Sequence, residues 1–203
     1  METTSSDKYV EVGGDFAEIF DQATLLSMLN SHDEAAVALK FHLIMEEFIN
    51  IWCSKRTYTD DLFAGIDFVP FKTKLAIARN LGLEIGIFKA LDKLNTARNR
   101  YSHRLKYNMA ANDVESLSAL IDNAAPEHPV NSCSSFVIES SGIDPQGRLA
   151  KQTHSWNSGN PKKLFIMCVT LTMKTTLWIQ KEFDDRGISY TLTTGLPKNI
   201  NLS

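Results

Sequence analysis

An arginine, an asparagine and a histidine lie close together in one segment of the chain, as Arg98, Asn99 and His103. A histidine whose pKa is near neutral can take the proton from a ribose 2′-hydroxyl or protonate the leaving oxygen. An arginine can hold the phosphate with two hydrogen bonds and stabilise the charge that develops in the transition state. Attack of the 2′-hydroxyl on its own phosphate would leave a 2′,3′-cyclic phosphate and a 5′-hydroxyl. These residue types therefore fit cleavage of RNA without a metal ion.

The three residues fall in a predicted amphipathic helix over residues 84–107. Its apolar positions recur in steps of four and three. The stripe that they form contains Ile87, Leu91, Leu94, Tyr101 and Leu105. The position on this stripe between Leu94 and Tyr101 belongs to Arg98. A guanidinium cannot lose its proton and is costly to bury alone, so the pattern predicts a partner for Arg98.

Helix geometry sets how the three side chains can meet. Asn99 and His103 are four residues apart and share one face, so the Asn99 amide could orient the imidazole. Arg98 lies about 140° around the helix from His103, at about 100° per residue. A bent helix end, or a second chain that completes the site, would bring these two together more easily.

Other residues of this helix are candidate contacts to an RNA substrate. They are Lys93, Arg100, Tyr101, Ser102 and Arg104. Tyr101 could stack on a base or donate a hydrogen bond. The basic residues of this set cluster with Lys106 on the polar side, where Asp92 is the only nearby acid along the sequence. The helix is therefore locally basic in a chain whose net charge is −3.

A solvated helix face is the alternative interpretation of this segment. Helical arginines and histidines are common on such faces, and spacing alone would make roughly one such pair in ten functional. The Ala-Arg-Asn of residues 97–99 also occurs at 78–80, without a histidine after it at the same spacing. The position of Arg98 on the apolar stripe favours a functional site, because local folding rules are most often broken at such sites. It does not distinguish catalysis from a dimer contact.

Length and composition are those of an ordinary globular protein. The 203 residues suit one domain, and 43% of them are hydrophobic and 22% charged. The net charge of −3 argues against nucleic-acid binding over the whole surface but leaves room for a local basic site. The first residues lack the pattern of a signal peptide, and residues 164–179 are too short and too polar to cross a bilayer.

The cysteines and the remaining motifs do not predict a cofactor. Cys53, Cys133 and Cys168 are far apart and lack metal-ligand spacing, which predicts reduced thiols in the cytoplasm. No glycine-rich phosphate loop, nucleophile elbow or zinc spacing is present. His42 and Glu46 are one helical turn apart, but two ligands do not make a metal site.

The coarse organisation predicts an all-α fold, an antiparallel helix bundle with one long irregular excursion before the last helix. Predicted helices cover residues 15–30, 71–81, 84–107, 112–123 and 162–185. A further predicted helix begins at residue 34 and ends where a connection over residues 55–70 begins. We expect one domain over 1–203, with a flexible N-terminus over 1–14. Residues 126–160 form a long loop or insertion, and residues 188–203 a tail that pairs as a short strand or trails. Within the insertion, the apolar run 136–138 is either a single strand or a lid, and His154 and Trp156 are by default exposed loop residues.

Two consecutive runs resemble one known family. Residues 71–83, FKTKLAIARNLGL, followed by residues 90–103, ALDKLNTARNRYSH, are similar to the HEPN superfamily. The pattern is closest to relatives of the mannitol operon repressor. The preceding residues 42–49, HLIMEEFI, resemble that family's helix with a buried acidic residue. The resemblance covers residues 37–103, about a third of the chain.

The resemblance implies an all-α bundle that dimerises. Active members are metal-independent ribonucleases with an arginine, a polar residue directly after it and a histidine shortly downstream, a pattern that Arg98, Asn99 and His103 match. In their dimers the two motifs face each other across the interface, and either Glu46 or Glu47 would pair with Arg98. The function implied is a toxin or defence effector that cleaves RNA and is restrained by an antitoxin or another partner.

The alternative function comes from the same resemblance. Mannitol-repressor-like members often lack the catalytic pattern and act by binding other proteins. The chain would then be a non-catalytic transcriptional regulator, in which Arg98 serves the dimer interface. Direct DNA binding is a weaker hypothesis, because the sequence contains no helix-turn-helix pattern and no broad basic face.

Overall fold

Six α-helices make up most of the part of the chain that the structure describes. The computed structural model describes residues 9–11, 14–104, 106–128, 130–143, 147–191 and 194–197. Its helices are α1 (Gln22–Asn30), α2 (Glu34–Arg56), α3 (Phe71–Asn80), α4 (Ile85–His103), α5 (Ala111–Asp122) and α6 (Asn160–Asp185). The prediction of a mainly helical protein is therefore confirmed. Among the described residues, no helix combines the length and the apolar composition that a membrane crossing requires.

Four short strands correct the all-α prediction. They are β1 (Tyr9–Glu11), β2 (Ile138–Ile143), β3 (Leu149–His154) and β4 (Thr194–Pro197). β2 and β3 form an antiparallel hairpin, in which Ile138 faces His154 and Ile143 faces Leu149. The insertion thus contains a hairpin where a single strand or a lid was predicted. β1 pairs antiparallel with β4, so part of the predicted tail is joined to part of the predicted flexible N-terminus.

The direction of the helices differs in part from the predicted antiparallel bundle. α2 and α4 run antiparallel, since Glu34 contacts Tyr101 and His42 contacts Asn95. α6 runs parallel to α2, because Asn160 also contacts Glu34 and Trp178 lies against Trp52. The long connection between α5 and α6 allows this arrangement, since it returns the chain to the end of the bundle from which α2 starts.

α3 also runs in the same direction as α2. Phe71 lies against His42 at the start of α3, and the carbonyl of Ala78 near its end accepts the indole N–H of Trp52 at 3.2 Å. The connection between α2 and α3 must therefore lead back along α2 before α3 begins.

The helix boundaries follow from local capping. Asp33 accepts the backbone N–H groups of Ala35 and Ala36, at 2.9 and 3.4 Å, and so begins α2 as predicted. Asp21 accepts the N–H of Thr24 at 2.7 Å, so α1 begins at Gln22 rather than near residue 15. The residues before it form a short 3₁₀ helix, Gly14–Phe16, and a turn.

Two further boundaries differ from the prediction. α5 begins at Ala111, one residue before the predicted start at residue 112. α4 ends at His103, earlier than residue 107, and Leu105 lies outside the described residues.

α2 lies at the centre of the core. The ring of Trp52 is fully buried and lies 4.6 Å from Trp178 and 5.8 Å from Phe183, measured between ring centroids. Burial of such large aromatic groups is the dominant stabilising contribution of a small domain core. The packing fixes α2 against α6 on one side and α4 on the other, and so fixes the end of α4 that carries the predicted motif.

Candidate functional site

The predicted motif lies in the last two turns of α4, at the surface. Asn99 and His103 are exposed and Arg98 is half-buried. Arg98 donates from Nη1 to Oδ1 of Asn99 at 3.2 Å, while its Nε is buried without a hydrogen-bond partner. No hydrogen bond joins His103 to either residue in the described part of the chain. The Asn99 amide therefore holds the arginine, whereas the sequence predicted that it would orient the histidine.

The expected ion pair between Arg98 and Glu46 or Glu47 is not found. Oε1 of Glu46 accepts a hydrogen bond from Nζ of Lys74 at 2.8 Å, and Glu47 accepts one from Asn50 at 3.2 Å. Lys74 also donates to Asn50 at 3.1 Å. The prediction was wrong because Lys74, on α3, binds Glu46 of α2. Spacing within one helix does not show which side chains of another helix lie against it.

A buried histidine lies beneath the motif. Nε2 of His42 is 3.3 Å from Oδ1 of Asn95, and its ring centroid is 4.2 Å from that of Phe71. Burial lowers the pKa of His42 most strongly, and the positive charge of Arg98 lowers it further. Glu46, whose Oε2 lies 3.9 Å from Nδ1, and the hydrogen bond to Asn95 act in the opposite direction. The net result favours a neutral imidazole that donates from Nε2 to Asn95.

The pair of His42 and Glu46 does not extend to a metal site. In the described residues, no group of three or more His, Cys, Asp or Glu side chains is arranged to hold a metal ion. Glu46 is engaged by Lys74 instead. The sequence pointed to this pair, but the role of Lys74 became visible only when α3 was placed beside α2.

Two of the predicted substrate-binding cations are held by an acid from the next helix. Asp113, in the first turn of α5, binds Nζ of Lys93 at 2.7 Å and Nη1 of Arg100 at 2.8 Å. The hydrogen bond from Lys93 is the main cause that lowers the pKa of Asp113. Arg100 also donates to the hydroxyl of Tyr107 at 3.3 Å. Asp92 is therefore not the only nearby acid, and these two cations are less available to phosphate than the sequence suggested.

Tyr101 cannot stack on a base, because its side chain is only 8% exposed. Its ring packs edge-on against Tyr107, with the ring centroids 4.9 Å apart, and its hydroxyl donates to Oε1 of Glu34 at 2.8 Å. The same oxygen of Glu34 accepts from the N–H of Met109 and from Nδ2 of Asn160, both at 3.0 Å. Glu34 thus joins the start of α2, the end of α4 and the start of α6. It is a positioning residue that the sequence did not reveal.

The remaining motif residues stay on the surface. Ser102 is exposed and donates from Oγ to the carbonyl of Arg98 at 3.2 Å. Arg104 follows the last turn of α4 and is exposed. The site that the structure leaves open to a ligand is therefore the end of α4, formed by Arg98, Asn99, Ser102, His103 and Arg104.

Two exposed leucines lie on α2 at the level of this site. Leu39 and Leu43 are one helical turn apart, and 36% and 63% of their surfaces are exposed. Arg98 is midway along α4 between Asn95, which contacts α2 at residue 42, and Tyr101, which contacts it at residue 34. Antiparallel packing therefore brings Arg98 level with Leu39. We call Leu39 and Leu43 the leucine pair.

The structure also contains an apolar cavity that the motif does not line. It has a volume of about 430 Å³ and is lined by α1, α6 and the start of β2. Phe20, Leu25, Phe136 and Met173 are among its walls, and none of the predicted site residues contributes to it. It therefore adds nothing to the chemistry of the motif.

Compared with protein-family models, with curated proteins and with solved structures, the chain shows no match.

Proposed function

We propose that the protein is a metal-independent endoribonuclease of the HEPN type, acting as a homodimer in the cytoplasm. Its role would be that of a toxin or defence effector restrained by a protein partner. The observation that carries this proposal is the exposed group of Arg98, Asn99 and His103 at the end of α4. The buried, unpartnered Nε of Arg98 supports it, because a native structure rarely leaves such a donor unused without a reason.

The chemistry follows from the residue types. A neutral His103 takes the proton of the ribose 2′-hydroxyl, and the 2′-oxygen attacks the phosphorus. The bond from phosphorus to the 2′-oxygen forms while the bond to the 5′-oxygen breaks, and the leaving oxygen takes a proton. Arg98 donates hydrogen bonds to the phosphate oxygens on which negative charge develops.

A dimer would supply what one chain lacks. One chain offers one His103 at the site, but the reaction needs a base for the attacking hydroxyl and an acid for the leaving oxygen. A twofold axis near the end of α4 would place the His103 of a second copy opposite the first, and would also cover the leucine pair. The exposed apolar surface of Leu39 and Leu43, level with Arg98, supports an interface there.

The direct test is cleavage of a single-stranded RNA by purified protein in the presence of a chelator. We expect products with 2′,3′-cyclic phosphate ends. His103→Ala and Arg98→Ala should each reduce the rate by on the order of 100-fold or more. His32→Ala, at an exposed histidine before α2, is the matched control and should leave the rate unchanged. Absence of cleavage by the unaltered protein, or full activity of His103→Ala, would exclude the enzyme.

The second candidate is a non-catalytic, protein-binding regulator. The leucine pair at the level of Arg98 favours it equally, because exposed apolar side chains near an arginine are typical of a protein interface. In this case Arg98→Ala should dissociate the dimer in analytical ultracentrifugation while His103→Ala has no effect. If the protein is an enzyme, both variants should instead lose activity, and the His103→Ala protein should remain dimeric.

A further inference from the structure

The segment 147–163 is basic within an acidic chain. It contains Arg148, Lys151, Lys162 and Lys163 and no aspartate or glutamate, although the whole chain has 24 acidic and 21 basic residues. The segment comprises β3, the turn after it and the start of α6. The concentration of charge is therefore local, as expected of a surface that contacts a polyanion.

The lysines of this segment are not equivalent. Lys162 is used inside the protein, where its Nζ binds the carbonyl groups of Leu29 and Ser31 at the end of α1. Lys151 is exposed on β3, opposite Ser141 of β2. Lys163 holds its ammonium over the ring of Trp156, with Nζ 5.0 Å from the ring centroid. Lys151 and Lys163 are thus the lysines of this segment placed to meet an external anion.

Contacts across the bundle place this segment at the same end as the motif. Asn160, three residues before Lys163, shares Oε1 of Glu34 with the hydroxyl of Tyr101, two residues before His103. Trp156 donates to Glu115 of α5 at 3.3 Å, two residues after the Asp113 that binds Arg100. The start of α6 and the end of α4 are therefore neighbours.

The loop after α4 extends the positive charge between them. Arg104 and Lys106 are both exposed there. Across β2 and β3, Glu139 opposite Thr153 is the one acid in the described part of the hairpin. From the end of α4 to the hairpin, the basic residues Arg104, Lys106, Lys151 and Lys163 thus outnumber the exposed acid Glu115, which accepts from Trp156, and Glu139 of the hairpin.

We propose that Lys151 and Lys163 bind the phosphates of a single-stranded RNA that continues from the motif at the end of α4. The inference deepens the proposed function and rests on it. β3 exposes a row of alternating side chains, in which Lys151 and Thr153 share one face and offer donors to a passing backbone. These contacts read the backbone and not the bases, so they increase affinity without sequence preference. RNA is favoured over an acidic protein because this surface lies at the end of the bundle where the proposed cleavage occurs.

The test measures RNA binding in the His103→Ala protein, so that the probe is not cut. The probe is a fluorescein-labelled, single-stranded RNA of about 20 nucleotides, longer than the site of one small binding domain. Lys151→Gln with Lys163→Gln keeps much of each side-chain stem and removes two charges. The matched control is Lys72→Gln with Lys181→Gln, two exposed lysines on α3 and at the far end of α6. Lys151→Gln alone is a further variant. It changes a residue on an exposed strand and keeps the contact between Lys163 and Trp156, so any effect that it has does not come from altered packing of Trp156.

We expect the first pair to weaken binding on the order of tenfold at about 0.1 M salt. A plot of the logarithm of the association constant against the logarithm of the salt concentration has a negative slope, and its magnitude should decrease by about 1.4, since each lost phosphate contact on a single strand contributes about 0.7. The control pair should change neither quantity, and Lys151→Gln alone should give about half of the change in slope.

Three results would overturn the inference: an equal loss in the control pair, an unchanged affinity in the first pair, or no RNA binding at all. If the unaltered protein cuts RNA while the first pair binds normally, this inference fails and the proposed function stands. If binding changes as expected but the unaltered protein cuts no RNA, the proposed enzyme fails and the binding surface stands.

Discussion

Arg98 donates from Nη1 to Oδ1 of Asn99 at 3.2 Å, and this is the only hydrogen bond that the described residues give its guanidinium. The arginine is therefore held by its neighbour and not by a carboxylate. An arginine paired with a carboxylate would have to break that pair to bind phosphate. Here no carboxylate has to be displaced, and Asn99 restricts the direction in which the guanidinium points.

The first prediction concerns Asn99→Ala. Loss of Oδ1 frees the guanidinium of Arg98, and misplacement of a positioning group by about 1 Å can reduce a rate by on the order of 100-fold. We expect RNA cleavage to slow between tenfold and that limit, with little change in stability because Asn99 is exposed. Asn80→Ala, in the matching Ala-Arg-Asn of residues 78–80, is the control and should be fully active. Equal rates for both variants would show that Asn99 does not position Arg98.

The second prediction concerns the hydrogen bond from Tyr101 to Glu34. Tyr101→Phe removes one of the three donors that share Oε1 of Glu34 and should lower the free energy of unfolding by about 1 kcal/mol. Glu34→Ala leaves all three donors without this acceptor and should cost about 2–4 kcal/mol. Urea unfolding followed by circular dichroism measures both. Tyr58→Phe, at a tyrosine that is 79% exposed, should change stability by less than about 0.5 kcal/mol.

The third prediction concerns a buried lysine on α6. Lys174 is 3% exposed and donates from Nζ to the carbonyls of Asp122 and Ala124 at 2.7 and 2.8 Å. It thereby satisfies the carboxyl end of α5, where a positive charge is also favoured by the helix dipole. Lys174→Met should lower the free energy of unfolding by about 2–4 kcal/mol, because it leaves two carbonyls unpaired.

The control for this prediction lies on the same helix. Lys181 is exposed and pairs with Asp185 one turn later. Lys181→Met should cost less than about 0.5 kcal/mol. If both lysine variants were equally stable, the cap that Lys174 provides would contribute nothing.

The fourth prediction concerns pH. The pKa of His42 is lowered in the folded protein, by burial first and by the charge of Arg98 second. Below a pH of about 6.5 the unfolded chain therefore binds a proton that the folded chain does not, and stability falls as the pH falls. The loss ends once the pH reaches the lowered pKa of the folded state.

His42→Gln is the variant that isolates this effect. A glutamine amide can still donate to Asn95 but does not titrate, so the slope of unfolding free energy against pH between about 7 and 5 should be reduced. Urea titrations at several pH values measure the slope. A variant with the slope of the unaltered protein would assign the pH dependence to other groups.

Several helices could be predicted from the sequence because their signals are local. The sequence predicts helices that begin at residues 34 and 162, and α2 and α6 begin at Glu34 and Asn160. The exposure of the motif at the end of α4 was harder to predict, because Arg98 lies on an apolar stripe and such a stripe indicates burial. The long side chain of Arg98 resolves the conflict, since its Nε is buried while the residue as a whole is only half-buried.

The partners of the site residues could not be predicted. Spacing within one helix shows which side chains share a face, but it does not show which helix packs against that face. Glu46 binds Lys74 because α3 runs parallel to α2, and Tyr101 binds Glu34 because α2 and α4 run antiparallel. Both relationships depend on contacts between residues far apart in the chain.

The sequence by itself determined the helical character of the protein, most helix boundaries and the presence of Arg98, Asn99 and His103 within two turns of one helix. It did so because caps and periodicity act over a few residues. Only the tertiary structure decided which of the nearby cations remain available. Asp113 from α5 binds Lys93 and Arg100, whereas Arg104 stays exposed, because the packing of α5 against α4 brings a distant carboxylate to one side of the helix and leaves its end open to solvent.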